Sequence, residues 1–90
     1  MHETGIARSL VGEVERIARR YGDPQVESVR VRMGVLCPFS EAHLRAHFAG
    51  AAKGTVAERA TLIVEHGTDP TEPLAQDVAL VSVDVEDIVP

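Results

Sequence analysis

Residues 26–33 alternate: Val29, Val31 and Met33 fall on one side of an extended chain, and Ser28, Arg30 and Arg32 fall on the other. That is the pattern of a strand with one buried face. Such a strand obliges the rest of a short chain to supply both its neighbours and its cover. Two further stretches alternate in the same way. Residues 61–65 turn Leu62 and Val64 towards a core and Ile63 away from it. Residues 78–88 turn Val81, Val83 and Val85 inward and Ser82, Asp84 and Glu86 outward.

Two other stretches repeat at the helical period. In residues 4–21, Ile6, Leu10, Val14, Ile17 and Tyr21 form a stripe widened by Ala7, Val11 and Ala18, while Arg8, Glu15 and Arg19 face away. Gly22 and Asp23-Pro24 stop it. Residues 34–39 are a connection holding Cys37-Pro38. Ser40 then caps a second helix running to about residue 53, with a short stripe of Leu44, Phe48, Ala51 and Ala52 and a stop at Gly54. Residues 67–77, rich in turn formers, are the one long loop.

The expected order is therefore helix, strand, helix, strand, strand. One-sided helices and one-sided strands bury their apolar faces by stacking in two layers. The predicted fold is α+β, with two helices packed on one face of a small three-stranded mixed sheet. On the wet face, Arg30 and Arg32 are expected to pair with Asp84 and Glu86 if their strands are neighbours. Ile63 and Leu80 are expected to be exposed there, as ordinary surface or as a partner contact.

Ninety residues make a single domain, residues 1–90, that buries only roughly 60–65% of its unfolded surface. Aromatic residues are few (Tyr21, Phe39 and Phe48), so aliphatic side chains must fill the core. A net charge of −5 argues against a nucleic-acid partner. No apolar run reaches the length of a membrane span or a signal-peptide core, and the single Cys37 cannot form an internal disulfide. The expected compartment is the cytoplasm.

Met1-His2-Glu3 carries a chemistry of its own. A free α-amine, the His2 imidazole and the backbone nitrogens of His2 and Glu3 can converge on one metal ion. With both amides ionised, four nitrogens form a near-planar set that suits Ni(II) or Cu(II) and not Zn(II). The bulky His2 favours retention of Met1. Many chains begin Met-His by chance, so the tripeptide needs context. His43 and His47 are spaced to put two imidazoles on one metal, but read first as surface or boundary residues. His66 reads as a polar strand terminus. Cys37, in a loop ahead of a helix, could be a reactive thiol, yet buried inert cysteines are commoner.

Several pieces together resemble the HypA/HybF hydrogenase nickel-insertion accessory proteins. They are Met1-His2-Glu3 followed by Ile6-Ala7, the strand Val29-Arg30-Val31-Arg32-Met33-Gly34, and the run Lys53-Gly54-Thr55 through Ala57-Glu58 to Ala60 and Leu62. The resemblance covers roughly residues 1–66, with a looser match over 78–88. It implies a nickel metallochaperone that binds Ni(II) through Met1, His2 and Glu3 in the maturation of a nickel metalloenzyme. Its implied partners are a maturation GTPase and the large subunit of a [NiFe] hydrogenase, or urease in some organisms.

The family carries a zinc module with two Cys-x-x-Cys pairs between its last two sheet strands. Here that place is the loop 67–77, which has no cysteine, so no zinc is expected. Two other readings stand beside the chaperone: a small interaction module using the sheet face around Ile63 and Leu80, and, weakest, an enzyme acting through Cys37.

Overall fold

The computed structural model describes residues 3–86. Its elements run α1 (Glu3–Arg19), β1 (Val26–Met33), α2 (Glu41–Ala52), β2 (Thr61–His66) and β3 (Val78–Val85). The sheet order is β2-β1-β3, with β2 parallel and β3 antiparallel to β1. The strand with the cleanest alternation is thus the central one. Both helices close its apolar face in a single core of Leu10, Val11, Val14, Ala18, Val29, Val31, Met33, Leu44, Phe48 and Leu62. This is the expected two-layer α+β arrangement with a mixed sheet. Among the described residues no helix is long and apolar enough to cross a membrane.

Helix α1 stops two residues earlier than its apolar stripe. The amides of Arg20 and Tyr21 reach back only three residues, to Ile17 and Ala18. Gly22 and Asp23 then take positive φ, +84° and +57°. The tightened last turn swings Tyr21 off the stripe, and it is 58% exposed, against the expectation of burial. Helix α2 begins as expected: the Ser40 hydroxyl accepts from the His43 N–H at 3.1 Å.

The segment after α2 explains the Lys53–Leu62 run. Thr55 Oγ1 donates to the Ala52 carbonyl at 2.7 Å and accepts from the Ala57 N–H at 3.1 Å, while Glu58 accepts from the Gly54 N–H at 3.0 Å. Ala57 and Leu62 are buried. These residues end a helix and seat a strand.

Strand β3 departs from the expected pattern. Its register on β1 jumps from Arg30↔Ser82 to Val31↔Leu80, so Val81 is the extra residue of a β-bulge. The bulge reverses the inward face partway along the strand. Val83 and Val85 pack on the core, as do Val78 and Leu80, whereas Val81 is 50% exposed. Leu80 therefore does not join Ile63 on the open face, and the exposed apolar pair expected there does not form. The same slip rearranges the charges. Arg30 lies opposite Ser82 and pairs with Glu65 of β2 at 3.7 Å, and Arg32 pairs with Glu72 at 3.4 Å. Asp84 instead accepts from the Ser28 hydroxyl at 2.7 Å. The expected continuation over residues 87–88 lies outside the described residues.

The loop 67–77 is tied down at both ends. Gly67 N–H donates to the Met33 carbonyl, Gly34 N–H to Asp77 and Leu36 N–H to Ala75, at 2.8–2.9 Å. Within it, Asp69 Oδ1 accepts from the backbone N–H and the hydroxyl of Thr71 at 2.8 and 2.7 Å. These bonds hold its carboxyl below the usual range. The loop closes the β2–β3 connection against the end of β1.

Candidate metal centre

Met1, His2 and the side chain of Glu3, the predicted donors, lie outside the described residues. Glu3 is the first residue of α1. The first four N–H groups of a helix have no intrahelical acceptor. Ionising the Glu3 amide towards a metal would therefore sacrifice no helix hydrogen bond.

The next residue, Thr4, places this helix start against α2. Its Oγ1 lies 3.3 Å from His47 Nδ1, across 43 positions of sequence. Beside this contact is an open recess of about 200 Å³ lined by Thr4, Arg8, Ala46, His47, Gly50 and Ala51. His47 is half-buried and His43, one turn earlier, is exposed. Sequence spacing had paired these two histidines with each other. The structure sets His47 against Thr4 of α1, a contact made by the packing of α1 on α2.

A second polar cluster lies at the other end of the α2 face. Glu41 Oε1 is 2.6 Å from His66 Nε2, and Glu41 Oε2 accepts from Arg45 Nε at 2.8 Å. Arg45 also donates to the Leu62 carbonyl at 2.7 Å. The hydrogen bond from His66, then that from Arg45, holds the Glu41 carboxyl below its ordinary range. His66, read from sequence as a strand terminus, thus fastens the end of β2 to the start of α2. Cys37 is half-buried and packs on the core, with its N–H on the Gly34 carbonyl at 3.0 Å.

The model of the HypA family, described as hydrogenase/urease nickel incorporation, metallochaperone, matches residues 1–70. The hydrogenase maturation factor HypA of Nitrosospira multiformis is 37% identical over 65 residues, covering 72% of this chain and 56% of that protein. The HypA of Archaeoglobus fulgidus is 40% identical over 62 residues, covering 69% and 56%. The chain thus spans little more than half the length of these relatives. In three dimensions it is similar to the solution structure of the Ni metallochaperone HypA from Helicobacter pylori, with a TM-score of 0.83. That match has 16% identity and covers 94% of this chain and 97% of that one, a likeness of fold.

Proposed function

This chain belongs to the HypA family of hydrogenase/urease nickel-incorporation metallochaperones, and from that premise we propose that it is a nickel-binding accessory protein for maturation of a nickel metalloenzyme. It holds Ni(II) through the Met1 amine, the His2 amide nitrogen and imidazole, and the Glu3 amide nitrogen. The observation that carries this reading is the family match over residues 1–70, which includes Met1-His2-Glu3.

The chemistry is capture and release, and the protein is not an enzyme. The ion enters as cargo and leaves in the same oxidation state. Two amide protons depart when the planar set closes and return when it opens, so affinity rises with pH. A site at the tip of the chain can be reached by an acceptor without unfolding the core. The acceptor proposed is a maturation GTPase, the large subunit of a hydrogenase, or both in turn, in the cytoplasm.

The domain boundary in this reading is 1–90, with the loop 67–77 standing where relatives of the family carry a zinc module. The loop's hydrogen bonds to Gly34, Leu36 and Met33 close the connection by themselves. One cysteine in the chain does not make a thiolate zinc site, and no zinc is part of the proposal.

The test is a calorimetric titration of untagged protein with Ni(II) beside His2→Ala. One-to-one binding that His2→Ala abolishes, with an unchanged far-UV spectrum, is the expected outcome. Equal binding by both proteins contradicts the terminal site.

A further inference from the structure

We propose that this chain associates with a second copy of itself, the two α1 helices packing antiparallel about a two-fold axis. The association is independent of the nickel site and uses the flank of α1 that overlooks β3. The core seam of α1 is Ala7, Val11, Val14 and Ala18, all buried. A second seam, Ile6, Leu10, Glu13, Ile17 and Arg20, repeats at the alternating four- and three-residue spacing by which helices pack side by side. Leu10 is buried, but Ile6 and Ile17 are only half-buried, and Ile17 lies outside the core cluster. Strand β3 bonds only to β1, and among the described residues no further strand flanks it.

Two recesses open along this second seam. One, of about 430 Å³, lies between α1 and the β3 side, with Ile6, Leu10, Leu74 and Leu80 as apolar walls and Glu13 and Asp77 as carboxylates. Leu74 is 60% exposed there. The other, of about 330 Å³, is bounded by Glu13, Arg16, Ile17 and Arg20. The exposed Tyr21 stands at this same end of α1. The flank is thus acidic and hollow towards the helix start, basic and projecting towards the helix end. Glu13, Asp77, Arg16 and Arg20 take part in none of the ion pairs among the described residues.

This polarity selects the occupant. A two-fold contact sets a patch against itself in reverse order, so a patch that carries both halves of a complement fits its own copy. With the axis near the level of Glu15, Arg16 and Arg20 of one copy come over Glu13 and Asp77 of the other, and symmetry forms the reverse contact. Tyr21 and the arginine stems then cover the apolar walls around Leu74, a use to which both residue types are suited. A partner of a single sign would leave half of the flank facing like charge.

The experiment is sedimentation equilibrium of untagged protein without added metal, over rising protein and salt concentration. Wild type is expected to show a reversible monomer–dimer equilibrium that shifts towards monomer as salt rises. Glu13→Arg, and separately Arg16→Glu with Arg20→Glu, are each expected to be monomeric, because each sets like charges across the axis. Mixed one to one, these two proteins should form a heterodimer, since every mixed contact is then opposite in sign. All three substituted positions are exposed, so far-UV spectra are expected to stay unchanged. Wild type that remains monomeric up to about 1 mM overturns the proposal. A dimer indifferent to either reversal, or no pairing in the mixture, overturns it equally.

Discussion

A Cβ on Gly34 would lie 2.0 Å from the Ala75 carbonyl oxygen, a clash with backbone and not with a movable side-chain tip. The same stretch of loop accepts from the Gly34 and Leu36 amides, so it cannot move away without losing those bonds. Gly34→Ala is expected to cost about 2–3 kcal/mol, at the upper end of overpacking penalties, measured by urea unfolding. Gly50, inside α2, has open space where a Cβ would go. Gly50→Ala should stabilise the protein by about 0.5–1 kcal/mol. From sequence both glycines look alike. Only the position of the 67–77 loop separates them. Most buried positions of α1 and α2 were legible because period and polarity agree there, but Ile17, read as part of the stripe, is only half-buried and lies outside the core cluster. Tyr21 was misread because the last turn tightens, which composition does not announce.

Between elements, the most informative joint is that of α2 with β2. Glu41 opens the helix and receives His66 from the strand end and Arg45 from the next helical turn. These hydrogen bonds lower the Glu41 pKa in the folded state. A lowered carboxyl contributes stability above its unfolded value and loses it as pH falls through the folded value. Glu41→Gln is therefore expected to lower Tm near pH 7, with the difference from wild type shrinking as pH falls below the ordinary carboxylate range. A difference that persists in acid would mean packing, not charge, joins these elements. Strand β3 shows why the wet face was misjudged. Extending the 81/83/85 alternation backwards turns Leu80 outward, but the bulge at Val81 resets the phase. The adjacent apolar pair Leu80-Val81 was the one visible hint, since a regular half-buried strand does not put two such residues side by side.

At the scale of the molecule, two helices on a three-stranded sheet leave a small core with little redundancy. Leu44 is 2% exposed and sits among residues from both helices and the sheet. Leu44→Ala is expected to cost about 2–5 kcal/mol, a large share of the roughly 5–10 kcal/mol available to such a domain. The proposed terminal donors are read from sequence alone, being consecutive and needing no fold to find one another. The neighbourhood of His47 was not legible there, because it depends on packing between residues far apart in the chain. In the proposed function, nickel is taken by the chain's own amine and the residues that follow it. The most direct test places two residues ahead of Met1, leaving every side chain in place, and compares visible absorption and affinity for Ni(II) with the untagged protein. Loss of the square-planar nickel spectrum and of tight one-to-one binding is expected in the extended protein. The same spectrum and affinity in both proteins would contradict it.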